Sequence, residues 1–394
     1  MWKYLKFGWF NWIVTLGTAI SFIAGGWWMW FGVGVMFIIG VGGELFSGED
    51  TSEPRYGHAW IYDWIIYSIS LFLLLALITF VWAFSGADLL GLGRFALDQL
   101  GYDALAARGE NAWYHYTGAA LSLGVILGVQ GIVMGHELVS RTDDIADTKI
   151  GELVFALMFG TNFAVEHVYG HHKNLGFPEH DAVTPIRGTH FYQFQTAGTW
   201  TQWKSGWDIE KKRLNDAGQS AFSFGNRIVQ AWLRGGIVMA LVLVGGGWVC
   251  FLYYLLAIAY AKFILEGLNF FSHYGLVRED GQPITPRVTF SSNNAWGNGI
   301  LLNLGRHGAH HADNSRYQDL KAYADDPQCP YGYLTMTVIA WIPPLFFKVM
   351  VPMLKEWDEN YATPAELEQT MKENRESGIK ALQEFVPRQM ASAQ

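Results

Sequence analysis

The chain has 394 residues, 51% of them hydrophobic and only 16% charged, against about 25% charged in ordinary soluble domains. A chain this apolar is not disordered, and a net charge of −8 without a basic stripe argues against nucleic acid as a partner. Its two cysteines, Cys250 and Cys329, form no C-x-x-C, which argues against a disulfide framework or a thiolate metal site.

Lys3 and Lys6 precede an uncharged stretch over 7–43. It is too long for the apolar core of a signal peptide and nearly twice the ~20 residues one membrane crossing needs. With Gly25-Gly26 near its middle, it predicts a helical hairpin, 8–24 and 27–46. Residues 47–60 are polar and contain Pro54, so they read as a loop. A third span is predicted over 62–85, a Gly-rich loop over 86–111, and a fourth span over 113–136. Ala119, Gly128, Gly131 and Gly135 on that span leave room for a substrate channel or for close helix packing, and packing is the expectation.

The region 137–233 is polar apart from 150–165, which is short for a span. Residues 235–273 are apolar except for Lys262 and Glu266, and predict a second hairpin turning near Tyr253–Tyr254. The remainder is mostly polar. Residues 333–354 carry Pro343-Pro344 and Lys348, which suits an interfacial segment. Residues 363–386 read as an exposed helix starting at Thr363-Pro364.

The expected fold is therefore all-α, a bundle of six transmembrane helices with a histidine-rich cap. Residues 1–136 hold four spans, 137–234 a cytoplasmic region, 235–273 a transmembrane hairpin, and 274–394 a cytoplasmic C-terminal region. Six spans put both termini on one side. Segment 137–234 carries ten Lys and Arg, whereas 86–112 carries only Arg94 and Arg108. The positive-inside bias then places the termini and 137–234 in the cytoplasm, below an inner cell membrane.

Of twelve histidines, eight fall in four groups. They are His136 in HELVS, then His167, His171 and His172 in EHVYGHH, His273 in NFFSHYG, and His307, His310 and His311 in RHGAHH. The i, i+4 spacings of His167 with His171 and of His307 with His311 put imidazoles on one helix face. His136 and His273 end spans four and six, so all four groups meet at one membrane face. His58, His180 and His190 read as ordinary surface or structural residues. His115 precedes His136 by about 30 Å of helix, at the opposite face.

Eight imidazoles are too many for one ion and suit two ions of Zn, Fe or Cu type. HELVS is not H-E-x-x-H, so a zinc protease is excluded. Iron with open positions fits oxygen chemistry. Lys262, Glu266, Asn269 and His273 share one helix face. That is either a buried ion pair or a polar wall supporting the His273 ring.

These motifs resemble the membrane-bound alkane hydroxylases and xylene monooxygenases, histidine-rich diiron enzymes related to the membrane fatty acid desaturases. HEL at 136–138, EHVYGHH at 166–172, NFFSHYG at 269–275 and GRHGAHHADNSRYQ at 305–318 carry the resemblance. PQCPYG at 327–332 and the run Ile342-Pro343-Pro344-Leu345 extend it, so that it spans roughly 60–355. It implies a non-haem diiron centre held by histidines of all four groups. It also implies hydroxylation of a terminal or benzylic methyl of a hydrophobic substrate with O2. Electrons would come from a separate rubredoxin or iron–sulfur reductase, in keeping with the absence of cysteine motifs here.

Glu137 and Glu166, beside the first two groups, are the candidate catalytic carboxylates. The chain departs from the family pattern at Ser140, where a second His is usual, at Ser272, where Glu is usual, and at Ala309, where an acid is usual. Glu137, His180 or Asn269 are the candidate substitutes for the missing ligand. Two rivals remain. One is a desaturase or fatty-acid decarboxylase on the same scaffold, and the other is a membrane haem or metal carrier.

Overall fold

A computed structural model describes residues 2–54, 57–313 and 315–391. Among them there is no β-strand, only two isolated bridges. The helices that position the site run in chain order. Apolar α1 is Trp9–Ala24, α2 Gly26–Phe46, α3 Ala59–Phe84 and α4 Trp113–Ser140. Then come α5, Ile145–Ala156, α6 over 163–174, α7, Phe191–Asp216, and α8, Arg227–Ser272. The short α9 is His307–Asp313. It is followed by α10, Tyr333–Ala340, α11, Pro343–Asn360, and α12, Pro364–Glu376.

Four of these, α2, α3, α4 and α8, are long and apolar enough to cross a membrane. The fifth apolar helix, α1, is shorter, with 16 residues. The longest, α8, has 46 residues and would be about 70 Å long if straight. Its two ends nevertheless return to α6. The Arg227 guanidinium lies 4.3 Å from the Tyr169 ring, and the His273 ring lies 4.7 Å from that of His171. The chain folds back at Gly247, where φ is 77° and ψ −177°. That conformation is open to glycine and strained for other residues. The expected turn at Tyr253–Tyr254 is thus corrected to Gly247. Both tyrosines sit inside the second limb, with hydroxyls donating to Trp113 O (3.1 Å) and Leu157 O (2.7 Å).

The glycines of α4 do pack helices. A Cβ on Gly128 would lie 2.9 Å from Ala261 Cα, and one on Gly124 2.8 Å from Ala257 O. Backbone contact between α4 and the second limb of α8 aligns their far ends, where His136 and His273 sit.

The segment 333–354 is two helices rather than one, because Pro343 starts α11 after a break at Trp341–Ile342. Glu44, buried at the end of α2, accepts from Leu334 N (3.0 Å), Thr335 N (2.7 Å) and Thr335 Oγ1 (2.7 Å), and so caps α10. The Thr363 cap forms as expected, with a reciprocal Glu366 bond. The helix it starts is shorter than expected. It ends at Glu376, and Gly378, with φ 70°, breaks it from a short turn at Lys380–Gln383.

Candidate metal centre

Four elements bring the eight histidines together. α4 presents His136 near its C-terminal end. In α6, residues His167–His171 form a wide π turn, whose i to i+5 closure differs from that of an α-helix. The expected pairing of His167 with His171 is therefore corrected, since the widened turn aligns His167 with His172 instead. Their Nε2 atoms are 3.1 Å apart. α9 is an ordinary α-turn, so His307 and His311, at i and i+4, do share a face, with Nε2 atoms 3.1 Å apart.

The result is two groups of four imidazoles. His136, His167, His172 and His310 form the first, and His171, His273, His307 and His311 the second. Within each group the candidate ligand atoms all lie within 4.8 Å of one another. His172 Nε2 is 3.2 Å from His310 Nε2, and His273 Nε2 is 3.1 Å from His307 Nε2.

These spacings match the edges of a coordination shell with metal–nitrogen bonds of about 2.0–2.1 Å. Nε2 of His136 is buried with no hydrogen-bond partner among the described residues, as a ligand atom would be in the absence of its ion. Burial first, and then the crowding of neighbouring imidazoles, holds His167, His172, His307, His310 and His311 well below the usual histidine range. Neutral rings are the form that binds metal.

His171 differs. Burial disfavours its charge, but the Asp181 carboxylate outweighs this and raises its pKa. Both Asp181 oxygens lie 3.0 Å from His171 Nδ1. Asp181 is itself held by Thr184 Oγ1 (2.5 Å) and Val183 N (3.2 Å). With Nδ1–H given to Asp181, Nε2 is left to face the second group. Sequence reasoning missed Asp181. Its only signal was an acid in a polar loop, ten positions beyond His171.

Glu137 points to a different task from Glu166. Its Oε1 accepts from Arg141 Nε at 2.9 Å. Arg141 Nη1 also reaches Asp63 (2.7 Å) and Asp147 (2.8 Å), and the Tyr67 hydroxyl donates to Asp147. This buried node ties the end of α4 to α3 and α5. Glu166 is buried, and desolvation followed by the nearby Asp181 charge pushes it up to about 7, a value suited to holding or releasing a proton at neutral pH.

Neither histidine group includes Glu137 or His180. His180 is exposed, and Asn269 is half-buried. Ser140 lies one helical turn beyond His136. Ser272 Oγ donates back to Leu268 O (2.9 Å) within its own helix. The polar face of α8 is a locked pair: Lys262 Nζ meets Glu266 Oε1 at 2.5 Å. Gln202 Nε2 donates to both Glu266 oxygens (3.1 and 2.9 Å), tying α7 to α8.

A small cavity adjoins the first group. Val133, Leu301 and Tyr317 line it, together with His136, Glu137 and His310. Its wall includes Leu302, at positive φ (50°), a conformation costly for non-glycine residues. A second, apolar cleft runs between α2, α4, α8 and α10, lined by Met36, Phe37, Val129, Leu268 and Trp341 among others. Val133 and Leu301 line both spaces.

Comparison with known proteins agrees with this geometry. The fatty acid desaturase family model matches residues 111–340. Alkane 1-monooxygenase 1 of Pseudomonas aeruginosa is 35% identical over 257 residues, covering 63% of this chain and 66% of that protein. Alkane 1-monooxygenase 2 of Alcanivorax borkumensis is 33% identical over 248 residues, covering 61% and 64%. XylM, the xylene/toluene monooxygenase hydroxylase component of Pseudomonas putida, is 32% identical over 263 residues, covering 66% and 70%. The chain thus spans slightly less than two thirds of the two alkane monooxygenases and slightly more of XylM.

Proposed function

Because this chain belongs to the fatty acid desaturase family, we propose that it is a membrane-bound diiron monooxygenase hydroxylating a terminal or benzylic methyl of an alkane or methylarene. The observation that carries this reading is the pair of four-imidazole groups, each compact enough for one ion. Two irons, when bound there, would supply reduction of O2 and attack on an unactivated C–H bond. The balanced reaction is R–CH3 + O2 + 2e⁻ + 2H⁺ giving R–CH2OH + H2O. Electrons come from a separate rubredoxin or iron–sulfur reductase.

The chain's own residues supply the rest. A substrate without polar groups partitions into the bilayer and reaches the site between helices. The apolar cleft receives it, and Val133 and Leu301 pass its methyl end toward His136 and His310. Asp181 holds the His171 ring in place. Glu166 holds a proton at its carboxyl. Arg141 keeps Glu137 and the end of α4 fixed, so that His136 keeps its position.

In the membrane, α1, α2, α3, α4 and the two limbs of α8 make six crossings. Residues 137–234 and 274–394 lie on the cytoplasmic side of an inner cell membrane, with both termini. The ten Lys and Arg of 137–234 support this orientation.

Two rivals fare worse. A fatty-acid desaturase or decarboxylase would meet a carboxylate, and neither cavity has a Lys or Arg among its described lining residues. A haem carrier needs room for a porphyrin between axial imidazoles, whereas these ring nitrogens stand 3.1 Å apart.

The test is iron analysis of the purified protein, followed by an alkane and methylarene panel with a surrogate reductase. Two irons per chain and a primary or benzylic alcohol are expected. Zinc alone, or an alkene product, overturns the reading.

A further inference from the structure

We propose that a groove between α5, α6 and the first turns of α8 binds the phosphate head group of an anionic phospholipid. The groove lies away from both histidine groups, and it rests on the membrane placement proposed above. Its volume is about 190 Å³. Lys149, Glu152, Thr161 and Arg234 line it, with Tyr169 and Arg227 at one end.

The charges do not balance within the groove. Glu152 Oε2 serves two cations, Lys149 Nζ at 2.8 Å and Arg234 Nη2 at 3.2 Å. One carboxylate between two cations leaves one positive charge over. Arg227 is committed elsewhere, to Glu210 at 2.6 Å.

Two donors in the groove have no partner among the described residues, Arg234 Nε and Thr161 Oγ1. Thr161 is only 4% exposed, so its hydroxyl is cut off from bulk water. It packs against α8 at the residue after Arg234: a Cβ built on Gly235 would lie 3.5 Å from Thr161 Cγ2. A buried donor without an acceptor is costly. One phosphodiester oxyanion would accept from both and neutralise the spare charge.

The surroundings favour a lipid over a soluble phosphate. Arg234, Ile237 and Leu241 are spaced 3 and 4 apart, so they share one face of α8. Ile237 and Leu241 are 51% and 65% exposed. On α5, Leu153 follows Lys149 by one turn and is 56% exposed. Arg234 therefore heads an apolar track running along α8, the arrangement that seats an acyl chain below a head group. Basic pockets between helices at the cytoplasmic face recognise anionic head groups in this way. Thr161 immediately precedes Asn162, the N-cap of α6, so the head group would brace the helix that carries His167, His171 and His172.

The experiment uses the full-length, iron-loaded protein. It is stripped of lipid in detergent and offered phosphatidylglycerol, phosphatidylcholine or inorganic phosphate. Native mass spectrometry reads bound lipid, and thermal unfolding reads stabilisation. Phosphatidylglycerol should be retained in preference to phosphatidylcholine and should raise the Tm, while inorganic phosphate should not. Arg234→Gln and the exposed Lys149→Gln should each weaken retention by about fivefold. Thr161→Val, which leaves the ion pairs intact, should also weaken it. Iron content of the same samples should stay at the wild-type level, which separates this site from the metal reading. Equal retention of both lipids, no effect of Arg234→Gln and Thr161→Val, or equal stabilisation by inorganic phosphate overturns the proposal.

Discussion

The Nδ1 of His171 lies 3.0 Å from both carboxylate oxygens of Asp181, and this pair decides which ring nitrogen faces the second histidine group. Asp181→Asn keeps the shape but loses the charge that orients the ring. Loss of such a partner costs about 10–100-fold in metal affinity. Competition with a chelator should show that loss while the protein remains folded.

The two groups should load separately. His310→Ala removes one imidazole from the first group and His307→Ala one from the second. Each should lower bound iron by about half, since the other group keeps its four ligands. Metal analysis checks this. Full loading of both variants would mean that the imidazoles do not hold the ions.

Arg141 is the hub of three carboxylates, Glu137, Asp63 and Asp147. Removing one partner of a buried charge cluster costs about 3–5 kcal/mol. Arg141→Met should therefore lower the Tm sharply. Arg141→Lys should recover little, because an ammonium cannot reproduce the planar fork. Thermal unfolding of the two variants decides it.

Val133 and Leu301 join the apolar cleft to the cavity beside His136. Val133→Phe should narrow that junction. Turnover of bulky methylarenes should fall more than that of slim n-alkanes, with iron content unchanged. A uniform loss across the substrate panel would place the route elsewhere.

Glu210 supplies a pH dependence. Its burial raises its pKa, but hydrogen bonds from Arg213 and Arg227 prevail and hold the carboxyl down at about 2, against 4.5 for the free side chain. The unfolded chain therefore binds the proton more readily. The stability from Glu210 is fully present above pH 4.5 and is lost as the pH falls toward 2. Thermal unfolding should show the gap between wild type and Glu210→Gln closing below pH 4.5. A gap that stays constant down to pH 3 would contradict this.

Much of the chain was legible from local pattern. Apolar runs interrupted by loops marked the helices now seen at α1 to α4. The Thr363-Pro364 signal marked the start of α12, because a cap is a contact between residues three apart. Residue type and spacing likewise picked out all eight clustered histidines, since imidazoles in such density have few structural uses.

What spacing could not supply was the partition of those histidines. Ideal helical geometry pairs His167 with His171, but the π turn pairs His167 with His172 and sends His171 to the other group. That turn closes one residue later than an α-turn, and residue types alone do not announce it. The fold-back of α8 followed the same rule: Gly247, rather than the tyrosines beyond it, can adopt the reversed φ. Asp181 beside His171, Asp63 beside Arg141 and Gln202 beside Glu266 are contacts between residues 10, 78 and 64 positions apart. Local periodicity carries no information about such pairs. They arise only when backbone contact between α4 and α8 and the turn of α6 bring distant helix ends together, where burial makes each lone charge or imidazole find a partner.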